Sequence, residues 1–561
     1  MPTMTNDVRN AASFGNVWRS CVAAIACGLG LFVAYVASVD RYFYGCFGGP
    51  FLMSELFGVP SPTAAAGILP VYRWEGGWDG QFHYHQSNDP FIHGDARKHI
   101  DNPSYRYQRN LIPALAYVTS RCAGCGITPP LWYQAIQLVL VAVGFGALVW
   151  LLEEHGISRL MALVWLFTGG LLLSLFRGLP DGPSDALFIL SLCGLHRRNL
   201  VVYSGLTSLL VLCREGYAMY AAAVFVMTAL GRIEWQGTYR WITRIAATAM
   251  PGIVVLGWAW YVAHQLEVPV LYGSSISRHV LVDWPFAAAC RALVRAVSDG
   301  NAKEALNVLC TAGLIGSVLW CAVRSCRESV LAAVAIPYTL LIAATGSVVW
   351  ADPSGYFKAS SALVVVGILL TRLPGTLLLR VMLAMMVVVG VPNTVNRLAR
   401  KVVPLPPVAS DPDEVAIPLL GVQRADTAPV IQNPAESVSL QALPGSMLHR
   451  PLPRLFSKDL ALVGASVRNE GTESWRAAVA GPDCIRLGYQ LRDSAGRIRH
   501  EGRRDLRGDV PPGGNATFFV AIPLPRQADT YTVTVGMLQE GRHWFHDASK
   551  TAAAQMTLSV P

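Results

Sequence analysis

Up to about Val403 the apolar residues come in unbroken runs, and after that point they begin to alternate with polar ones. The runs are roughly 15–22 residues long, the length at which a helix crosses a hydrocarbon core about 30 Å thick. The first, at 20–39, follows Arg9 and Arg19 and is too long for the core of a signal peptide, so it is expected to persist as a first helix. Further helices are expected at about 131–152, 160–177, 184–195, 200–213, 217–231, 245–264, 305–323, 329–349, 359–371 and 375–393. Several are too short to span alone, which points to half-helices or re-entrant segments lining a cavity enclosed by protein. About ten to twelve helical segments are expected in all.

The loops between the runs sort by charge. Those at 153–159, 196–199, 231–244 and 324–328 are mostly rich in Arg, and basic loops stay on the cytoplasmic side. The opposite side then receives the long loop 40–110, the shorter 176–184, 214–216, 264–304 and 350–358, and the whole C-terminal region. Nearly all the unusual polar residues fall in this second set.

Period-2 alternation appears in Leu460-Ala-Leu-Val-Gly-Ala-Ser-Val467, Ile485-Arg-Leu-Gly-Tyr-Gln-Leu491, Ala516-Thr-Phe-Phe-Val-Ala-Ile522 and Tyr531-Thr-Val-Thr-Val-Gly-Met537. Turn signals (Asn-Glu-Gly, Ser-Ala-Gly, Pro-Pro-Gly-Gly) separate them, as expected of an antiparallel sandwich. The expected fold is thus an α-helical polytopic membrane protein with a C-terminal antiparallel β-sandwich. Residues 1–400 form the helical domain, 401–454 a Pro- and Ala-rich linker and 455–561 the β-domain. Trp475, Trp544 and Phe545 are expected in its core.

Composition agrees, with 53% hydrophobic and only 14% charged residues and a mean hydropathy of +0.39, where a soluble domain carries about a quarter charged residues. The net charge of +9 lies largely in the short basic loops, and no RNA-binding motif accompanies it, so nucleic acid is excluded as a partner. Most of the 12 cysteines sit in apolar runs. Cys122-Ala-Gly-Cys125 lacks the second pair that zinc needs, and is expected as a local disulfide or two inert thiols.

Candidate chemistry concentrates in the long first loop. Trp74-Glu-Gly-Gly-Trp-Asp-Gly-Gln-Phe-His-Tyr-His85 sets Asp79 among aromatics and glycines, where desolvation would raise its pKa toward that of a general base. Tyr105-Arg-Tyr-Gln-Arg109 follows, and Arg106 and Arg109 share a face if the segment is helical, the arrangement of a phosphate clamp. The plainer alternative is that these groups form structural ion pairs capping the helices. His83 and His85, with Asp79 or Asp89, are a weak metal-ligand pattern. Arg177-Gly-Leu-Pro-Asp-Gly-Pro-Ser-Asp185 precedes an apolar run, so Ser184 or Asp185 is a candidate helix cap. Arg214-Glu215 ends a run, and Asp352 and Lys358 flank another; charges at such depth are costly unless paired or functional.

Gly77-Trp-Asp-Gly-Gln-Phe-His-Tyr84 with Asn102-Pro-Ser-Tyr-Arg-Tyr-Gln-Arg109 resembles the first outer loop of bacterial GT-C-type membrane glycosyltransferases. Trp78-Asp79-Gly80 is also similar to the Trp-Asp-Gly motif of GPI mannosyltransferases. The block ending Leu212-Cys-Arg-Glu-Gly216, after the Asp181–Asp185 segment, is a second point of resemblance. The likeness covers roughly residues 15–395. It implies transfer of a sugar from a polyprenyl-phosphate carrier to a glycan or lipid acceptor at the outer face of a bacterial inner membrane. An Asp of the first outer loop serves there as base or acceptor-orienting group, which falls on Asp79 or on Asp40 at the end of the first helix. Arg106, Arg109 and Arg214 would hold the lipid phosphate. Trp78, Gln81, His83, Tyr84, His85 and Tyr105 complete the expected substrate surface with Asp181, Asp185, Glu215 and Lys358. No resident metal is implied, and a divalent cation (magnesium or manganese) is left open as an assistant.

The β-domain, through Val467-Arg-Asn-Glu-Gly-Thr-Glu-Ser-Trp475, Asp493-Ser-Ala-Gly496 and Val510-Pro-Pro-Gly513, resembles an accessory domain of polysaccharide-assembly proteins, with a glycan-guiding or a passive role. Two other classes stay open: a lipid or glycan transporter, against which the scarcity of mid-run charges counts, and a non-catalytic assembly scaffold. Asn515-Ala-Thr517 is a lone glycosylation sequon and carries little weight.

Overall fold

A computed structural model describes the chain except residues 1–5, 44–46, 52, 55–56, 59, 61–70, 73–76, 269–281, 401–435, 443–459, 476–484, 507–509, 524–528, 540–542, 550–552 and 561. It divides into two units, one of Met1–Tyr35, Val59–Pro62 and Trp78–Arg400, the other of Val36–Gly58, Thr63–Gly77 and Lys401–Pro561.

The first unit is helical. Among its described residues Asn16–Val39, Pro130–Glu154, Trp241–Leu266 and Ala302–Ser325 are long and apolar enough to cross a membrane. Shorter apolar helices are Leu200–Cys213, Val330–Ala343, Gly355–Leu370 and Leu377–Pro392. The segment expected as one helix at 160–177 is instead broken: Arg159–Leu166 and Gly169–Phe176 meet at 57°. Gly170 lies at the break with its backbone against the carbonyl of Phe357, leaving no space for a Cβ. The two glycines therefore let the second half-helix approach the Pro353–Leu370 helix at backbone distance. Gly144 does the same between the Pro130–Glu154 and Asp181–His196 helices, where an added Cβ would come 2.7 Å from Ala186 Cα.

Several boundaries differ from expectation. The Asp181–His196 helix starts three residues earlier than the apolar pattern suggests, and Pro180 occupies its N-cap without a side-chain bond. Ser184 and Asp185 therefore lie inside the helix rather than capping it, and Asp181 and Asp185, four apart, share one face. Lys358, expected in a loop, stands in the Pro353–Leu370 helix. Leu111–Cys122 is an additional helix ahead of the first one expected after the loop. Ala287–Ser298 forms a helix within the loop expected at 264–304 because its small residues Ala288, Ala289, Ala292 and Ala296 fall on one buried face. Cys122 and Cys125 are free thiols.

The second unit holds a short parallel pair, β1 (Met53–Ser54) and β2 (Val71–Tyr72), and two antiparallel sheets. One sheet has β3 (Glu436–Ala442), β4 (Leu460–Asn469) and β7 (Asn515–Pro523) in the order β3-β4-β7. The other runs β10 (Ala554–Val560), β8 (Asp529–Gln539), β5 (Ile485–Arg492), β6 (Ile498–Asp505), with β9 (His543–Trp544) paired to β8. All four alternating segments are strands. The linker expected at 401–454 needs correction, since β3 falls inside it and pairs with β4 along seven residues from Glu436↔Asn469 to Ala442↔Val463; the rest of that linker lies almost wholly outside the described residues. The alternating faces of β4, β5 and β8 bury Val463, Leu487, Val533 and their neighbours around Trp475 and Phe545, whose rings lie 5.6 Å apart. Trp544 is only half-buried and carries the Arg503 guanidinium 5.3 Å from its ring centroid. Asn515 opens β7 rather than lying in a turn.

Candidate active site

At one end of the helical unit a chain of ionic side chains joins segments far apart in sequence. The loop residues around Trp78 set its first member. Trp78 O accepts from Gln81 N at 3.0 Å and starts the helix Gly80–Gln86, every residue of which is buried. Asp79 takes the N-cap place with helical backbone angles, so its carboxylate makes no capping bond and is free to turn outward. Its Oδ1 accepts from Arg106 Nη2 at 2.9 Å.

Arg106 ends the Pro103–Arg106 turn, which Asn102 caps by accepting from Tyr105 N. Its guanidinium also donates to both carboxyl oxygens of Asp101, at 2.9 and 2.8 Å, and lies 4.9 Å from the Phe82 ring centroid. The turn ends at Arg106, so Arg109 leaves on another path. It forms a two-bond fork with Glu215, at 2.9 and 2.7 Å, beneath which the Tyr105 ring lies 4.4 Å away. Arg214 pairs with Asp181 at 2.8 Å. Asp185, one turn on from Asp181, accepts from Tyr217 Oη at 2.7 Å, and the Tyr217 ring stacks on Tyr338 with centroids 4.8 Å apart.

Lys358 lies in the same field, acting on both Asp79 and Asp181, yet forms no ion pair among the described residues. The Arg177 guanidinium covers the Trp78 ring at 4.3 Å. Exposure separates the carboxylates. The Asp79 side chain is 49% exposed, Asp101 33%, Glu215 27% and Asp181 9%. Asp79 is therefore the carboxylate of this set most open to an incoming group.

Loss of water tends to raise the Asp79 carboxyl, but the Arg106 guanidinium, followed by Lys358, outweighs it and holds the group well below the usual carboxylate range. This corrects the expectation of a raised pKa, because desolvation arrives together with an opposite charge. Burial and the Arg106 charge push the His83 imidazole down to about 4, and burial pushes His85 down to about 3, so both are neutral at pH 7.

The two histidines do not converge. His83 Nδ1 bonds Gln86 Oε1 at 2.8 Å, whereas His85 faces His99 and neither of its ring nitrogens has a hydrogen-bond partner among the described residues. Asp89 is occupied in its own loop, accepting from His93 N and Gly94 N at 2.8 and 2.9 Å. No group of three or more metal-ligating side chains forms among the described residues. Tyr84 donates to Thr128 O at 2.6 Å with its ring wholly buried and so ties the loop down, and Gln81 is likewise buried. Asp40 belongs to the helix Asn6–Phe43, and its side chain lies outside the described residues.

The structure thus joins Asp79 with Arg106, Arg109 with Glu215 and Arg214 with Asp181, and adds Asp101, Tyr217 and Tyr338, which the sequence pattern does not single out. Asp101 carries a signal in hindsight, an Asp five residues ahead of an Arg around an Asn-Pro helix start. No family model, curated protein or solved structure matches the chain.

Proposed function

We propose that this chain is an integral membrane glycosyltransferase that moves a sugar from a polyprenyl-phosphate carrier to a glycan or lipid acceptor at the extracytoplasmic face of a bacterial inner membrane. The observation that carries the reading is the ionic chain itself. Asp79, Arg106, Arg109, Asp181, Arg214, Glu215 and Lys358 come from four loops expected from their charges on the outer side, and they meet at one end of the helical unit. Charges gathered at a membrane surface at this density are costly unless paired or used.

In the proposed reaction the acceptor hydroxyl attacks the anomeric carbon, and its proton passes to the ionised, outward-facing carboxylate of Asp79. The bond from that carbon to the carrier phosphate oxygen breaks, and the electron pair leaves with the phosphate. Lys358 meets the charge that develops there, being the cation of the cluster without an ion pair among the described residues, while Arg106 orients Asp79. Arg109 and Arg214, each already closed on a carboxylate, shape the wall around it. The C-terminal β-unit is assigned to glycan handling in the periplasm.

The test is transfer from a radiolabelled polyprenyl-phosphate sugar by purified wild type, Asp79→Asn, Asp40→Asn and Lys358→Gln, with magnesium or manganese and with EDTA. Asp79→Asn is expected to abolish transfer with carrier binding retained, and Lys358→Gln to weaken carrier binding. Wild-type levels in both Asp variants would remove the base assignment. Asp185, an acid buried inside the helical unit, favours a transport reading; labelled carrier crossing proteoliposomes without any transfer would support it.

A further inference from the structure

The ends of the helices away from the ionic chain frame a cleft of about 230 Å³. It is lined by leucines, among them Leu151, Leu192 and Leu369, and by His155, His196, Arg198 and Arg372. The imidazoles of His155 and His196 lie 4.6 Å apart between centroids, and His155 Nδ1 is engaged by Leu151 O at 2.8 Å, which leaves Nε2 for another partner. Arg198 is a non-glycine residue in the left-handed region, with φ 54°, where Gln236 N donates to its carbonyl at 2.9 Å. Arg198 is half-buried in the cleft lining, and its Nη1 has no hydrogen-bond partner among the described residues. A guanidinium stays charged and has no lone pair to offer, so it favours an incoming acceptor.

The lining also includes the start of the Val330–Ala343 helix. Ser329 caps it by accepting from Ala332 N, so the amides of Val330 and Leu331, which line the cleft, have no acceptor within the helix. The acids nearby are Glu328 on the rim, which forms no ion pair among the described residues, and Glu154, which pairs with Arg197 at 3.7 Å. Two arginines, two imidazoles and a helix start therefore line one cleft with leucines, with Glu328 the one carboxylate of the lining and Glu154, paired to Arg197, beside it.

We propose that this cleft binds a phosphate-bearing group, supplied by the headgroup of an anionic lipid or by a free phosphate. Arg198 and the helix amides hold the phosphate oxygens, Arg372 closes over them from the rim, and the leucines receive the apolar part of an esterified ligand. The site is independent of sugar transfer at the other end.

Isothermal titration of the full-length, detergent-purified protein tests it with three probes: inorganic phosphate, short-chain phosphatidic acid and short-chain phosphatidylcholine. Wild type should bind phosphatidic acid saturably, and Arg198→Gln and Arg372→Gln should each weaken binding by roughly tenfold or more, the worth of one charge-assisted hydrogen bond. Arg232→Gln, the same charge change on the exposed surface, should not alter it. Arg372 is exposed, so its variant tests the site without a folding risk. Phosphate and phosphatidic acid weakened together identify a site for the phosphate group itself, and phosphatidic acid alone identifies a lipid headgroup site. Variants that bind both probes as wild type does, equal binding of phosphatidylcholine, or no binding of either anion overturn the proposal.

Discussion

Depressed pKa values at Asp79, His83 and His85 all make stability fall as the pH is lowered, each over its own range. Asp79 is held by Arg106 below its unfolded value of about 4. The stability from this pair is therefore present above about pH 4 and is lost as pH falls below that value toward the folded one. Asp79→Asn is expected to flatten the acid limb of a plot of thermal stability against pH below about 4; an unchanged limb would dissociate the pair from stability. His83 and His85 are also shifted downward, here because burial disfavours the charged imidazolium. Their folded values of about 4 and about 3 lie below the unfolded value of about 6.5, so protonation favours the unfolded chain and stability falls from about pH 6.5 downward. Because His85 has two enclosed nitrogens without partners, His85→Leu is expected to raise stability by about 1 kcal/mol and to leave transfer intact. Loss of transfer in a folded His85→Leu protein would return His85 to the substrate surface.

At the scale of the helices, close backbone approach decides the packing. Gly170→Val would drive a branched side chain into the Phe357 carbonyl at the break between the half-helices, and is expected to cost about 1–3 kcal/mol or prevent folding. A thermal shift smaller than that of a surface Gly→Val control would show that the break can open. Gly170 is an unremarkable small residue in an apolar run, and nothing in its own neighbourhood announces Phe357. In the β-unit, β3 covers the edge of β4 by pairing across seven residues. A fragment beginning at residue 430 is thus expected to be more stable to urea than one beginning at 455, which leaves that edge bare. Equal midpoints would count against β3 as part of the sheet.

For the molecule as a whole, the contacts between loops group them as the loop charges expect. Contacts such as Arg109 with Glu215 and Tyr356 with Glu304 join loops expected outside, and Gln236 with Arg198 joins loops expected inside. In sealed right-side-out vesicles an impermeant thiol reagent should therefore label the exposed Cys122 and spare Cys326. The reverse pattern would invert the topology and remove the outer-face site.

Long apolar runs, basic loops and four period-2 strands were legible along the chain, because burial in a helical unit or in a sandwich imposes its period residue by residue. So was the concentration of chemistry in the first loop. The charged β6 strand was not, since an edge strand has little apolar alternation to show. Nor was the choice of partners. Arg106 and Arg109 stand three apart and look like one clamp, yet the Pro103–Arg106 turn stops between them and sends one to Asp79 and the other 106 residues on to Glu215. Local pattern records what each segment must bury. Which charges meet, and hence whether Asp79 is raised by desolvation or lowered by an arginine, depends on distances that exist only once the helices have packed.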